Sequence, residues 1–197
     1  MERGFDKFEL RVDPKNYVSW GEPVYQNPAD ILNYIAKIQG QETNFKNPEN
    51  GFQPIDIYIN DRSFLEIIKE VEEVALVKEN FQRDAESQLK AGDYYSLPPS
   101  LTYFPCRNLL DEPEEFAFII ESDHIHFGKS TLLGCTCGIE GCWFIVAKIT
   151  LTPTTVIWSN FAQFHFDYEY DLRPFVFERE QYERELLPIT NIDGLNG

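Results

Sequence analysis

Apolar and polar positions alternate in "FDKFELRV" (5–12), which puts Phe8, Leu10 and Val12 on one face of a strand. The period changes in "NPADILNYIAKIQG" (27–40), where Ile31, Ile35 and Ile38 recur at helical spacing. Asn27 is placed to cap that helix, Pro28 to open it and Gly40 to end it. The polar stretch 41–54, rich in Asn, Gly and Pro, reads as a loop. Strict alternation returns in "PIDIYIND" (54–61), with Ile55, Ile57 and Ile59 on one face. Ser63 and Glu66 then have the spacing of a capping box. They open a helix whose buried stripe is Phe64, Ile67, Ile68, Val71 and then Val74 or Ala75. The "NDRS" joint before it contains no glycine-rich turn and supplies no phosphate cradle.

Residues 80–113 lose periodicity, and Pro98, Pro99, Pro105 and Pro113 exclude long regular elements there. Tyr94, Tyr95, Tyr103 and Phe104 are expected to pin this segment to the body, with a weak domain boundary near 90–113. From 115 onward the pattern predicts a β-meander with strands at 115–127, 130–138, 142–151 and 154–162. "GK" at 128–129 suits a two-residue type II′ turn, and "TPT" at 152–154 supplies the next one. The stretch 163–171 is aromatic on one face and acidic on the other. Residues 175–187 end in a short helix with Tyr182 and Leu186 one turn apart, and 188–197 is expected to fray. The expected fold is a single α+β domain over 1–197. Its sheet is mainly antiparallel, a C-terminal β-meander, with helices packed on one face.

Composition adds a core and a compartment to this picture. Of 197 residues, 43% are hydrophobic and 15% aromatic, with sixteen Phe and ten Tyr, so the chain can fill a sizeable interior. No apolar run reaches the roughly 18 residues of a membrane helix. "MERGFDKFELRV" contains no apolar core of a signal peptide. Four cysteines without such a signal imply reduced thiols and a cytoplasmic protein.

Charge narrows the partners. Thirty-three acidic against seventeen basic residues give a net charge of −16. Such a chain is repelled by nucleic-acid backbones and anionic membranes, and attracts a basic protein. Two acidic stretches, 111–123 and 167–171, point to Glu114, Glu115, Asp167, Glu169 and Asp171 as partner-binding residues.

The densest candidate chemistry is "GCTCGIEGCW" (134–143), with the spacing C-x-C-x4-C. Cys135 and Cys137 share a face if they lie on a strand, and the glycines at 134, 138 and 141 mark sharp turns that bring Cys142 back. With Gly128 and Lys129 as the turn, His126 would face Thr131, His124 would face Leu133 and Ser122 would face Cys135. A zinc site from Cys135, Cys137, Cys142 and His124 is one reading, with Cys106 as a further ligand. Packed thiols in a tight hairpin are the competing reading. Redox chemistry has less support, because no C-x-x-C opens a helix.

"LLGCTCGIEGCW", followed by "VIWSNF" and "RPFVFEREQYEREL", resembles a group of bacterial proteins with a GC-x-CG-x-x-GCW hairpin, a tryptophan strand and a closing PFVF-helix module. The resemblance covers about the last third of the chain. It implies a bacterial origin and a shared C-terminal module, and it transfers no activity and no catalytic residue.

No G-x-S-x-G, H-E-x-x-H, G-x-G-x-x-G, P-loop or zinc-deaminase pattern occurs. His165 or His124 could meet Cys106, and Glu114–Glu115 or Asp167–Glu169 could act as acid–base pairs, but no spacing singles them out. The leading expectation is a non-enzymatic, acidic protein-binding module of the immunity or inhibitor type, without a cofactor. A small zinc-stabilised domain and an enzyme of unrecognised chemistry are the alternatives.

Overall fold

Alternation at 5–12 and 54–61 resolves into two strands that pair with each other. In the computed structural model, strand β1 (Phe8–Val12) runs antiparallel to a later strand with Leu10 opposite Ile57. The structure describes residues 4–12, 18–19, 51–52, 54–78, 91–92, 94–112, 125–135, 144–164 and 168–187. Between the two strands, β2 (Val18–Ser19) pairs with β3 (Gly51–Phe52), so the end of the expected 41–54 loop is strand. The helix expected at 27–40 lies outside the described residues.

The partner of β1 is β4 (Ile55–Ile59), which also pairs with the short β5 (Arg62–Ser63). Helix α1 (Phe64–Lys78) follows directly. Its stripe buries Phe64, Ile67 and Ile68, while Val74 is exposed.

A second sheet holds five antiparallel strands in the order β10–β9–β8–β7–β6. They are β6 (Tyr94–Ser96), β7 (Ser130–Cys135), β8 (Ile145–Leu151), β9 (Thr155–Gln163) and β10 (Phe175–Glu178). Short helix α2 (Pro99–Thr102) follows β6, and α3 (Arg179–Glu185) follows β10. The fold is therefore α+β with antiparallel sheets. Three strands of the expected meander are present. Of the fourth, at 115–127, residues 125–127 lie in a turn, and 115–124 lie outside the described residues. The edge position is filled by β6, from the stretch that lost periodicity. Three residues are too few to show a period of two, and Pro98 and Pro99 stop the strand at once.

Two isolated bridges join the sheets. Asp6 meets Phe177 in parallel, and Ile55 meets Leu97 antiparallel. Strands β1, β4, β6, β7, β8, β9 and β10 thus follow one another around a nearly closed ring. The outer edge of β1 is finished by side chains: Gln181 Nε2 donates to the Phe8 carbonyl (2.6 Å), and the Leu10 amide donates to Glu185 Oε2 (3.3 Å). Helix α3 thereby stands in for a neighbouring strand and satisfies backbone groups that would otherwise be buried unpaired. The side chain of Glu178 caps that helix by accepting from the Gln181 amide.

One aromatic core fills the inside. Tyr182 of α3 lies against Phe8, Trp158 and Phe177. Its hydroxyl accepts from Trp158 Nε1 (3.1 Å) and donates to the Leu109 carbonyl (2.8 Å), so both polar tips are paired in a dry interior. Phe64 of α1 reaches Trp158 and Phe161. Asn160 has φ +54°, and the β8–β9 register shifts there. This bulge turns Phe161 to the same side as Val156 and Trp158.

Candidate functional site

Phe64, Ile68 and Glu72 are spaced four residues apart, so α1 carries a carboxylate along its buried stripe. Glu72 is only 4% exposed. Its Oε1 accepts from the hydroxyls of Tyr94 and of Tyr170, the latter at 2.6 Å. Its Oε2 accepts from the Gly92 amide at 2.8 Å. Gly92 is in the left-handed region at φ +73°, which lets the turn before β6 aim its amide at the carboxylate. Burial, and then the adjacent carboxylate, push the Tyr170 phenol far above its ordinary range, which keeps it a donor. Three donors saturate the near sides of this carboxylate. Its chemistry is that of a tie between α1, the 91–92 turn, β6 and residues 168–172.

A second buried charge faces the same segment. Lys129 Nζ lies 2.7 Å from Glu169 Oε1, with the lysine side chain 5% exposed. Asn160 Nδ2 donates to Glu169 Oε2 at 2.5 Å. Burial raises the Glu169 pKa, but the hydrogen bonds from Lys129 and Asn160 outweigh it and leave the carboxyl below its usual range. Lys129 is fixed from its own side too, since its amide donates to the His126 carbonyl (3.2 Å) across a turn with Gly128 at φ +70°.

That turn corrects the expected hairpin. It starts one residue earlier than a Gly128–Lys129 turn would, and His126 is its first residue instead of a strand residue facing Thr131. Thr131 lies opposite Val146, and Leu133 opposite both Ile145 and Ser96. Leu133 is therefore flanked by β6 on one side and β8 on the other, while His124 and Ser122, expected opposite Leu133 and Cys135, lie outside the described residues. The buried His126 ring places Nε2 3.1 Å from the Gln163 carbonyl.

The cysteine stretch enters the described residues only at its start. Cys135 ends β7 opposite Tyr94. Cys137, Cys142 and His124 lie outside the described residues. Gly134, expected at a sharp turn, sits within the strand, directly opposite Tyr95. A Cβ there would fall 2.7 Å from the Tyr95 ring, so the glycine makes room for a cross-strand aromatic. Cys106 is half-buried, and its Sγ accepts from the Asn108 amide at 3.5 Å.

Of the acids expected to bind a partner, Glu169 is held by Lys129 and Asn160, and Asp171 is exposed. Glu114, Glu115 and Asp167 lie outside the described residues. Glu72 was not among the sequence candidates. Its signal was an acidic residue at the place where the Phe64–Ile68 row continues.

No helix among the described residues is long and apolar enough to cross a membrane. Comparison with known proteins finds no matching family, no matching curated protein and no matching solved structure.

Proposed function

We propose that this chain is an acidic, non-enzymatic protein-binding domain of the inhibitor or immunity type, acting in the cytoplasm on a basic protein. One observation carries the reading: each arginine among the described residues is bound to a carboxylate of the same chain. Arg11 pairs with Glu9, Arg62 with Glu70, Arg107 with Glu112, Arg173 with Asp6, Arg179 with Glu183 and Arg184 with Glu180. These guanidinium groups are already engaged, which disfavours phosphate recognition. Exposed acids outside these pairs include Glu66, Glu73, Asp111 and Asp171, on a chain of net charge −16. Such a surface speeds capture of a cationic partner in a salt-dependent way.

The test is to immobilise the chain, capture partners from lysate, and measure association of each purified partner across ionic strength. A basic partner whose association slows as salt rises is expected. Recovery of no basic partner, or an on-rate indifferent to salt, overturns the reading.

A further inference from the structure

Residues 168–172 meet two buried charges of opposite sign. Tyr170 reaches inward to the Glu72 carboxylate, and Glu169 reaches outward to the Lys129 ammonium. Its backbone is attached as well: the Tyr170 amide donates to the Phe161 carbonyl (2.7 Å), and Glu169 bridges Ala162. Tyr168 and Leu172 pack on the core from either side of Tyr170. Lifting the segment would remove a donor from a buried carboxylate and the Glu169 carboxylate from a buried ammonium. Either loss alone is costly, because water entering a confined site replaces a well-placed partner of a charge only in part.

From this geometry we propose that 168–172 is a strap that opens and closes as one unit, with Glu72 as its inner catch and Lys129 as its outer catch. Breaking one catch weakens the hold of the other, because the two catches grip adjacent residues. The closed strap keeps both charges dry and holds Tyr168 and Leu172 on the core. The open strap admits water to Glu72 and Lys129 and releases Tyr168 and Leu172. The strap is a property of the free chain and does not depend on what the chain binds.

Native-state hydrogen exchange of the full chain tests this. In the wild type, the Tyr170 and Leu172 amides should share one opening free energy, below that of the Trp158 amide in the central ladder. Tyr170→Phe, which leaves the charge unchanged, should speed exchange of both amides by about tenfold or more and leave Trp158 unaffected. Lys129→Met should do the same from the other catch, with Glu169→Gln as the substitute if that variant does not fold. Chymotrypsin should cut between 168 and 172 faster in each variant. Exchange of the strap amides only through global unfolding overturns the proposal. So does a Tyr170→Phe variant that speeds the Tyr170 amide and leaves Leu172 unchanged.

Discussion

Tyr94 and Tyr170 donate to the same oxygen, Oε1 of Glu72, from two separate segments of the chain. One phenol comes from the edge strand β6, the other from the segment after β9. The carboxylate between them belongs to α1, so three parts of the chain meet on one buried atom.

Because the two phenols share an acceptor, their removal should not be independent. Tyr94→Phe and Tyr170→Phe should each destabilise the chain by about 1–3 kcal/mol, since each leaves a buried carboxylate short of a donor. The double variant should depart from the sum by at least about 0.5 kcal/mol. In a Glu72→Met background both phenylalanines should become nearly neutral. Urea unfolding of the set checks this, and additivity would show that the phenols act separately.

Acid should unlock the junction of β1 with β10. Burial raises the Asp6 pKa, but hydrogen bonds from Arg173, Asn60 and the Val176 amide, with the Arg173 charge, bring it from 3.8 to about 2. The folded chain thus holds the ionised form more tightly than the unfolded chain does. This contribution is fully present above the unfolded value near pH 4 and disappears as pH falls through the folded value near 2. It is worth at most about 2 kcal/mol. Asp6→Asn should flatten that part of the stability–pH curve between about pH 5 and 2. An unchanged slope would show that the guanidinium does not hold the carboxylate in solution.

The sequence was most informative where a pattern ran long enough to repeat. Strands β4, β8 and β9 and helix α1 each span enough residues to show their period, and the expected positions match. The hairpin register failed at its turn, which closes from His126 to Lys129, and at Leu133, where the neighbour opposite β8 is β6, arriving from a stretch without a period. Glu72 was missed for a similar reason. An acid in an amphipathic helix reads as solvent-facing unless its donors are known, and those donors, Tyr94 and Tyr170, lie in unrelated segments. The ring-closing bridges at Asp6 and Ile55 leave no periodic trace at all.

Gly134 should tolerate no side chain while Tyr95 stays. Gly134→Ala brings a methyl against the ring, at a distance that real side chains do not adopt, and should cost about 1–3 kcal/mol. Tyr95→Ala in the same chain opens that space, so adding Gly134→Ala to it should cost much less. Thermal unfolding of the four chains checks the cycle. An equal penalty in both backgrounds would locate the requirement in the backbone of β7 instead of in the ring.

The two acids that flank Tyr170 in the strap should behave differently. Glu169 faces a lysine that is almost fully buried, whereas Asp171 is exposed and has no such role in the fold. Glu169→Gln takes the Glu169 carboxylate away from the buried Lys129 ammonium and should cost about 2–4 kcal/mol, with little change elsewhere on the surface. Asp171→Asn should leave stability within about 0.5 kcal/mol. Under the proposed function, Asp171→Asn slows association with a basic partner at low salt, and the difference vanishes at high salt where the field is screened. Glu169→Gln also lowers the negative charge by one, so it slows encounter comparably. Its distinguishing effect is faster dissociation, because the strap that carries Asp171 is no longer held shut. Stopped-flow association and dissociation rates for the two variants separate these roles. Identical changes in both rates would mean that Glu169 contributes only its charge and that the ion pair with Lys129 does not shape the bound surface.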